Sequence, residues 1–385
     1  MKDQYLVEVH ASIKQLNWQE WQDFVNPKMD LAMDPRLLNL MESTLSDQAK
    51  FWIILIRNPQ QQLIACACLS LFRTDIIQSS NPIFSNVIKT LRHYFPNILK
   101  MKVLYCGLPL PSGHSHLRMK NKEDSEKILL LIHQNMLKIA QEQNARLMVF
   151  KELDGNQDLQ LKYLKKWKYS RGQLQPVFHL LKTFEDFSAY ENQLRSGYRY
   201  QIKCNKKKFN KAGLIVEHFV EPEQISNQFT EQVYQLYLNV WTKAKEKLEC
   251  FSIDFFRELP NALPKQVLMT LIKDKDVPVA FAIGMIDELN YYNLYVGLDY
   301  QYLKEEIYCN LFYHELDHVF RLKKNKILLG QTSAVFKSRL GAIPDSRYFW
   351  VLPLKPSLQM IFKCFHKLIF PKEPHYGSYQ VFKTE

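Results

Sequence analysis

Val267-Leu-Met-Thr-Leu-Ile-Lys-Asp274 and Val279-Ala-Phe-Ala-Ile-Gly-Met-Ile286 are two apolar runs on either side of the turn Lys275–Pro278. Branched apolar runs flanking a short polar turn predict a β-hairpin. Outward from it, Tyr291-Tyr-Asn-Leu-Tyr-Val-Gly-Leu298 adds a strand and a helix is expected near Lys304–Leu322. The strand Ile327-Leu-Leu-Gly330, a short helix at Val335–Leu340 and the strand Arg347-Tyr-Phe-Trp-Val-Leu352 follow. The same order stands earlier in the chain. Phe51–Arg57 and Leu63–Phe72 flank a turn around Asn58 and Pro59, and Val103–Leu108 adds a strand. Ser125–Ala145 then carries Ile128, Leu131, Ile132, Met136, Ile139 and Ala140 at helical spacing, before strand-like Leu147–Phe150, helical Leu161–Trp167 and strand-like Val177–Leu181. Asn144-Ala-Arg-Leu-Met takes the place of Asn325-Lys-Ile-Leu-Leu, each a helix exit into a strand. Two hairpin-first α/β units of matched order predict a duplication. The expected division is 1–185 and 186–385, with the joint near Thr183–Tyr190.

A chain of 385 residues suits two domains of ordinary size. With 46% hydrophobic and 23% charged residues it can fill real cores, which excludes a disordered or fibrous class. No window reaches the about 18 uninterrupted apolar residues of a membrane span, and Met1–Trp18 lacks the apolar stretch of a secretion signal. The expected compartment is therefore the cytoplasm. Seven cysteines include no C-x-x-C pair, and Cys66 and Cys68 share one face of an apolar strand, so reduced structural thiols are expected, and no metal. A formal charge of +12 favours anionic partners such as phosphates, CoA-type cofactors, nucleic acid or acidic lipid heads.

Arg195, Arg199, Lys203, Lys206, Lys207, Lys208 and Lys211 crowd one expected helix that Gly213 ends. It reads either as a solvated cationic face or as a contact for phosphate, with Arg199 and Lys203 as candidates; Tyr198 and Tyr200 would let it stack on bases in a non-catalytic RNA- or anion-binding protein. Near the end of the chain, residues 357–370 alternate apolar and cationic side chains, which fits either a packed terminal helix or peripheral membrane contact. His314-Glu-Leu-Asp-His318 matches the His-Glu-x-x-His pattern of zinc peptidases, but no third ligand accompanies it and Leu311, Phe312, Leu316, Val319 and Phe320 give the helix a core face. Neither a serine-nucleophile elbow nor a Walker loop is present.

The basic helix closing in Lys211-Ala-Gly-Leu-Ile-Val, the Tyr295–Asp299 stretch, and Leu328-Leu-Gly-Gln-Thr-Ser-Ala-Val-Phe-Lys-Ser-Arg-Leu-Gly-Ala342 together resemble the GNAT acyltransferase branch related to the Fem aminoacyltransferases, which includes proteins labelled for cellulose or peptidoglycan biosynthesis. Cys106–Gly113, Phe150–Leu153 and Leu161–Leu181 extend the likeness into the first half, and Gly297–Ala342 is its most specific part. The resemblance implies an α/β (α+β) fold of two tandem GNAT domains, each a mixed, mostly antiparallel sheet flanked by helices, the first degenerate and the second active. It implies transfer of an activated acyl group to a small amine or lipid-like acceptor. Acyl-CoA or acetyl-CoA, the latter less favoured, is one expected donor and aminoacyl-tRNA the alternative. Ordinary GNAT domains hold pyrophosphate on a Gly-rich turn, whereas Asp299-Tyr-Gln-Tyr-Leu-Lys-Glu-Glu306 has no glycine, so either side chains hold the donor or it sits differently.

Acyl transfer needs a positioned acceptor, a route for its proton and donors for the developing oxyanion. Asp299 is a candidate proton acceptor or the cap of the next helix; Tyr295 and Tyr308 are candidate general acids. Lys337 matches a lysine of the family motif and is expected on donor phosphate or an anionic acceptor, with Arg339 as substitute. Gln331 and Thr332 are expected to bond ligand or cap a turn.

Overall fold

The computed structural model describes residues 5–120, 124–181, 184–244, 250–370, 376 and 379–383. The first half runs β1 (Leu6–His10), α1 (Trp18–Val25), α2 (Pro35–Thr44), β2 (Lys50–Arg57), β3 (Leu63–Asp75), α3 (Pro82–Leu91), β4 (Lys100–Cys106), β5 (Leu117–Met119), α4 (Ser125–Glu142), β6 (Leu147–Leu153), α5 (Gly155–Gln160) and β7 (Ser170–Leu180). The second runs α6 (Phe187–Gln193), α7 (Ser196–Lys211), β8 (Ile215–Phe219), α8 (Pro222–Gln228), α9 (Glu231–Lys243), α10 (Ile253–Ala262), β9 (Val267–Asp274), β10 (Val277–Ile286), β11 (Asn290–Leu298), α11 (Ile307–Arg321), β12 (Lys326–Gly330), α12 (Ala334–Arg339), β13 (Ile343–Pro353) and α13 (Pro356–Ile369). Both hairpins read in the sequence form, as β2–β3 and β9–β10.

The architecture is the expected mixed, mostly antiparallel sheet flanked by helices. It differs in one respect from two separate sheets: the strands form one sheet in the order β1-β2-β3-β4-β6-β13-β7-β12-β11-β10-β9-β8, with β5 on β3. The last strand of each half lies beside the other half, β7 pairing with β12 and β13 with β6, while β7 and β13 pair with each other. Exchange of these strands covers edges that each half would otherwise expose. Among the described residues only β4–β6 and β11–β12 are parallel.

Period-2 alternation assigns the two faces of the sheet. On one, Cys66, Cys68, Phe281, Ile283, Tyr292 and Leu328 join a core that α2 and α10 share between the halves. On the other, α4 packs over Leu104, Met148 and Trp350, and α11 over Tyr291, Ile327 and Leu329. Burial of each such large side chain contributes about 1.5–3 kcal/mol. Cys66, Cys68 and Cys106 are fully buried free thiols, and burial raises the pKa of each. The helix exits correspond at a slightly different register from the sequence reading: the left-handed residues are Asn144 (φ 56°) and Lys323 (φ 51°), not Asn325.

Candidate functional site

β11 and β12 pair only through Asn290–Lys326, Tyr291–Ile327 and Tyr292–Leu328. Beyond Tyr292, β11 has no ladder partner on the β12 side among the described residues, so the sheet opens into a fork. A bulge sits at its edge: Ile283 faces Tyr295 and Gly284 faces Asn293, leaving Leu294 as the extra residue. Bulges interrupt the ladder and re-aim side chains. β12 ends at Gly330 (φ +79°), a conformation only glycine adopts freely, and the chain turns through Gln331–Ser333 into α12.

Lys337 reaches back into this fork. A Cβ placed on Gly330 would lie 3.5 Å from Lys337 Nζ and 3.6 Å from the Asn293 carbonyl oxygen, so the ammonium stands between the two strand ends. Lys337 is only 2% exposed, so it is not a solvated surface lysine. Behind it lies Glu315 of α11, also buried, whose carboxylate accepts hydrogen bonds from Tyr291 Oη and from Asn293 Nδ2, the latter at 2.7 and 2.9 Å. Gly284 makes room for the Tyr291 hydroxyl; a side chain there would collide with it.

Burial lowers the Lys337 pKa to about 7, opposed by the Glu315 charge. Burial raises the Glu315 pKa to about 7 against the hydrogen bonds from Tyr291 and Asn293 and the charge of Lys337. The charge of each thus opposes the shift that burial imposes on the other. A cation and a carboxylate held out of water, each able to change protonation near neutrality, suit stabilisation of an oxyanion and movement of a proton.

The other predicted residues are distributed around this centre. Tyr308 stands in the first turn of α11 with its ring 5.1 Å from Phe336 and its hydroxyl beside Ser333, at the α12 side of the fork; burial raises its pKa. Tyr295 lies on the opposite sheet face, among Tyr237, Phe251 and Phe256. Asp299 caps the 3₁₀ turn Tyr300–Glu305, accepting from Gln301 N at 2.9 Å. Gln331 donates to Glu152 Oε2 and to the Gln175 carbonyl, both at 3.1 Å, which ties the fork to the first half. Thr332 and Arg339 are exposed. On α7, Arg199 is half-buried and Lys203 exposed, while Lys206 and Lys208 are engaged by Glu191 and Glu306.

Glu315, Asn293 and Tyr291 are not singled out for chemistry by the sequence reading, which considers Glu315 only within His-Glu-x-x-His. The available signal was polarity at core positions: an asparagine in an apolar strand and a glutamate on a core helix face. In the structure the His318 ring lies 4.9 Å from that of His218, tilted by 53°, and His314 lies 5.6 Å from Phe209, while Glu315 between them turns into the core. Among the described residues no three His, Cys, Asp or Glu side chains gather to hold a metal.

The forked, mostly antiparallel sheet with helices on both faces is a fold of the GNAT type. The chain belongs to the FemAB-like family, described as peptidoglycan biosynthesis/recognition, whose model matches residues 83–334. The crystal structure of FemX is similar at a TM-score of 0.56 and 12% identity, covering 92% of this chain and 100% of that one. The C-terminal domain of a putative lysylphosphatidylglycerol synthetase from Agrobacterium fabrum gives 0.51 and 11%, covering 93% and 99%. A tandem GNAT protein from the clavulanic acid biosynthesis pathway gives 0.52 and 8%, covering 92% and 99%. At these identities the likeness is one of fold. No curated protein matches by sequence.

Proposed function

We propose that the β11–β12 fork transfers an aminoacyl group from aminoacyl-tRNA to an amine, with peptidoglycan-precursor peptides as the acceptor class. The observation that carries the transfer reading is the buried Lys337–Glu315 pair at the mouth of the fork. The acceptor amine attacks the ester carbonyl of the donor; a C–N bond forms, the C–O bond to the tRNA ribose breaks, and the proton lost by the amine balances the one gained by the departing hydroxyl. Lys337 stabilises the tetrahedral oxyanion, and the nearby Glu315 charge favours its protonated form. The first half completes the acceptor groove, joined through Gln331 and Glu152.

Two observations favour tRNA over CoA. Asp299, Glu305 and Glu306 bring three carboxylates to the chain entering α11, where an ordinary GNAT domain binds pyrophosphate. On α7, Arg199, Lys203, Lys207 and Lys211 recur at every fourth residue, the last three exposed, as a stripe suited to a phosphate backbone. A second reading, acyl-CoA as donor, is favoured by the first turn of α11, whose N–H groups lack a side-chain cap.

The test is transfer of radiolabelled amino acids from charged bulk tRNA, or of acyl groups from acyl-CoA, to a precursor peptide with a free lysine amine. Transfer from tRNA that is lost in Lys337→Met supports the reading. Transfer only from acyl-CoA selects the second, and neither transfer nor donor binding with the wild type overturns both.

A further inference from the structure

We infer that α3 and α13 together form a docking face for an anionic phospholipid bilayer, a surface wider than the 357–370 segment singled out in the sequence and independent of which donor the fork uses. Ile83, Val87 and Leu91 recur at every fourth residue of α3 and point outward while Ile88 packs inward. Ile83 is 73% exposed and Val87 54%, and just beyond the helix Tyr94 and Phe95 are 79% and 65% exposed. On α13, Met360, Phe365 and Leu368 are exposed as well, while Phe362 and Ile369 anchor the helix on the sheet through Phe349 and Val351. The two sets are contiguous: Asn81 N donates to the Leu368 carbonyl at 2.9 Å, and the Phe84 and Phe365 rings stand 6.0 Å apart.

A soluble surface rarely gathers so many large apolar side chains on one face without a partner for them. Charge identifies the partner. Residues 76–120 and 346–370 contain no aspartate or glutamate, while Lys89, Lys355, Lys363 and Lys367 are exposed on or beside the two helices. Asp75, the carboxylate that precedes α3, is engaged by Arg92. An apolar ridge whose two helices carry lysines and no carboxylates matches a surface whose interior is hydrocarbon and whose headgroups are negative. Exposed Tyr94 and the lysine stems suit the boundary between those layers. A polyanion such as RNA would answer the lysines but leave Ile83, Val87 and Met360 in water. The orientation also fits: α3 and α13 cover the sheet face opposite α7 and α11, so docking leaves the cationic stripe of α7 open.

The experiment is sedimentation of the full chain with phosphatidylcholine vesicles, with and without one-third phosphatidylglycerol, at about 0.1 M salt. The wild type is expected to partition at least tenfold more onto the anionic vesicles. Val87→Asp with Met360→Asp should abolish partition onto both, while Lys363→Glu with Lys367→Glu should remove only the anionic preference. All these side chains are exposed, so circular dichroism and the melting temperature should stay at wild-type values; if the aspartate pair perturbs them, Phe95→Ser serves in its place. Equal partition onto neutral and anionic vesicles, or full partition by the apolar variant, would overturn the inference. Light scattering that shows a dimer dissolved by the apolar variant, without vesicle binding, would assign the face to a second copy instead.

Discussion

The sheet contains two parallel forks, β4–β6 in the first half and β11–β12 in the second, built by the same order of elements and filled in opposite ways. In the first, pairing continues through four residues, from Val103–Leu147 to Cys106–Phe150, and the buried side chain of Lys151 lies across Gly107. In the second, pairing stops after three, and the space beyond holds the Lys337 ammonium. The covering helices differ at one telling position: eight residues before the left-handed exits Asn144 and Lys323 stand Met136 and Glu315. A buried methionine needs only packing, whereas a buried carboxylate demands Tyr291, Asn293 and a nearby cation. The two frames are alike in the order of their elements, and a few polar residues set the second apart.

The comparison breaks most visibly at the two lysines. Lys337→Met is expected to lower transfer on the order of a thousandfold, the scale of losing one preorganised oxyanion donor. Lys151→Met should leave the rate nearly unchanged. Initial rates at saturating donor measure both, and equal losses would mean that the first fork also works.

Next comes the position where the helices differ. Glu315→Met should cost about 3 kcal/mol in urea unfolding, because it strands the Asn293 amide and leaves Lys337 a buried cation without its counter-charge. Adding Lys337→Met should recover most of that loss. If the double variant is no more stable than the single one, the two residues are not a pair.

Their titration gives a smaller but more specific signature. The folded-state pKa of Glu315 is raised from 4.5 to about 7, so between those values the folded chain binds more protons than the unfolded one, and this contribution to stability falls as pH rises. That of Lys337 is lowered from 10.5 to about 7, so above 7 the unfolded chain binds more protons, and the contribution rises with pH. The pair thus digs a trough in stability centred near pH 7. Glu315→Gln with Lys337→Met should flatten it relative to the wild type; identical pH profiles for the two proteins would show that neither shift exists.

Local pattern made the order of strands and helices and both hairpins legible, because each is written in a few adjacent residues. The exchange of β7 and β13 between halves was not, since a strand's apolar alternation is the same whichever neighbour it pairs with. Lys337 was visible through its motif, but its burial was not. Tyr295 shows how a single residue defeats period-2 reasoning. Counting from Tyr291, alternation places Asn293 and Tyr295 on one and the same face. Asn293 obeys; the bulge at Leu294 then turns Tyr295 to the other side, into the Phe251–Phe256 cluster. Asp299 reads equally as a chemical group and as a cap, and its bond to Gln301 N makes it a cap.

The smallest expected effect concerns the strand ends themselves. β12 closes on Gly330 at φ +79°, and β6 closes near Glu152 at φ +58°, so both forks use a left-handed residue to turn the chain out of the sheet. Gly330→Ala should cost about 1 kcal/mol of stability from backbone strain. Its new Cβ would meet Lys337 Nζ and the Asn293 oxygen only at 3.5 and 3.6 Å, ordinary contact distances, so transfer should fall no more than stability alone explains. In the first fork the strain is already present, and Glu152→Gly should relieve about as much as it forfeits with the hydrogen bond from Gln331. Thermal unfolding of the two variants side by side measures the contrast: a loss for Gly330→Ala and near-neutrality for Glu152→Gly would show that the forks share a backbone device and differ only in the side chains placed upon it.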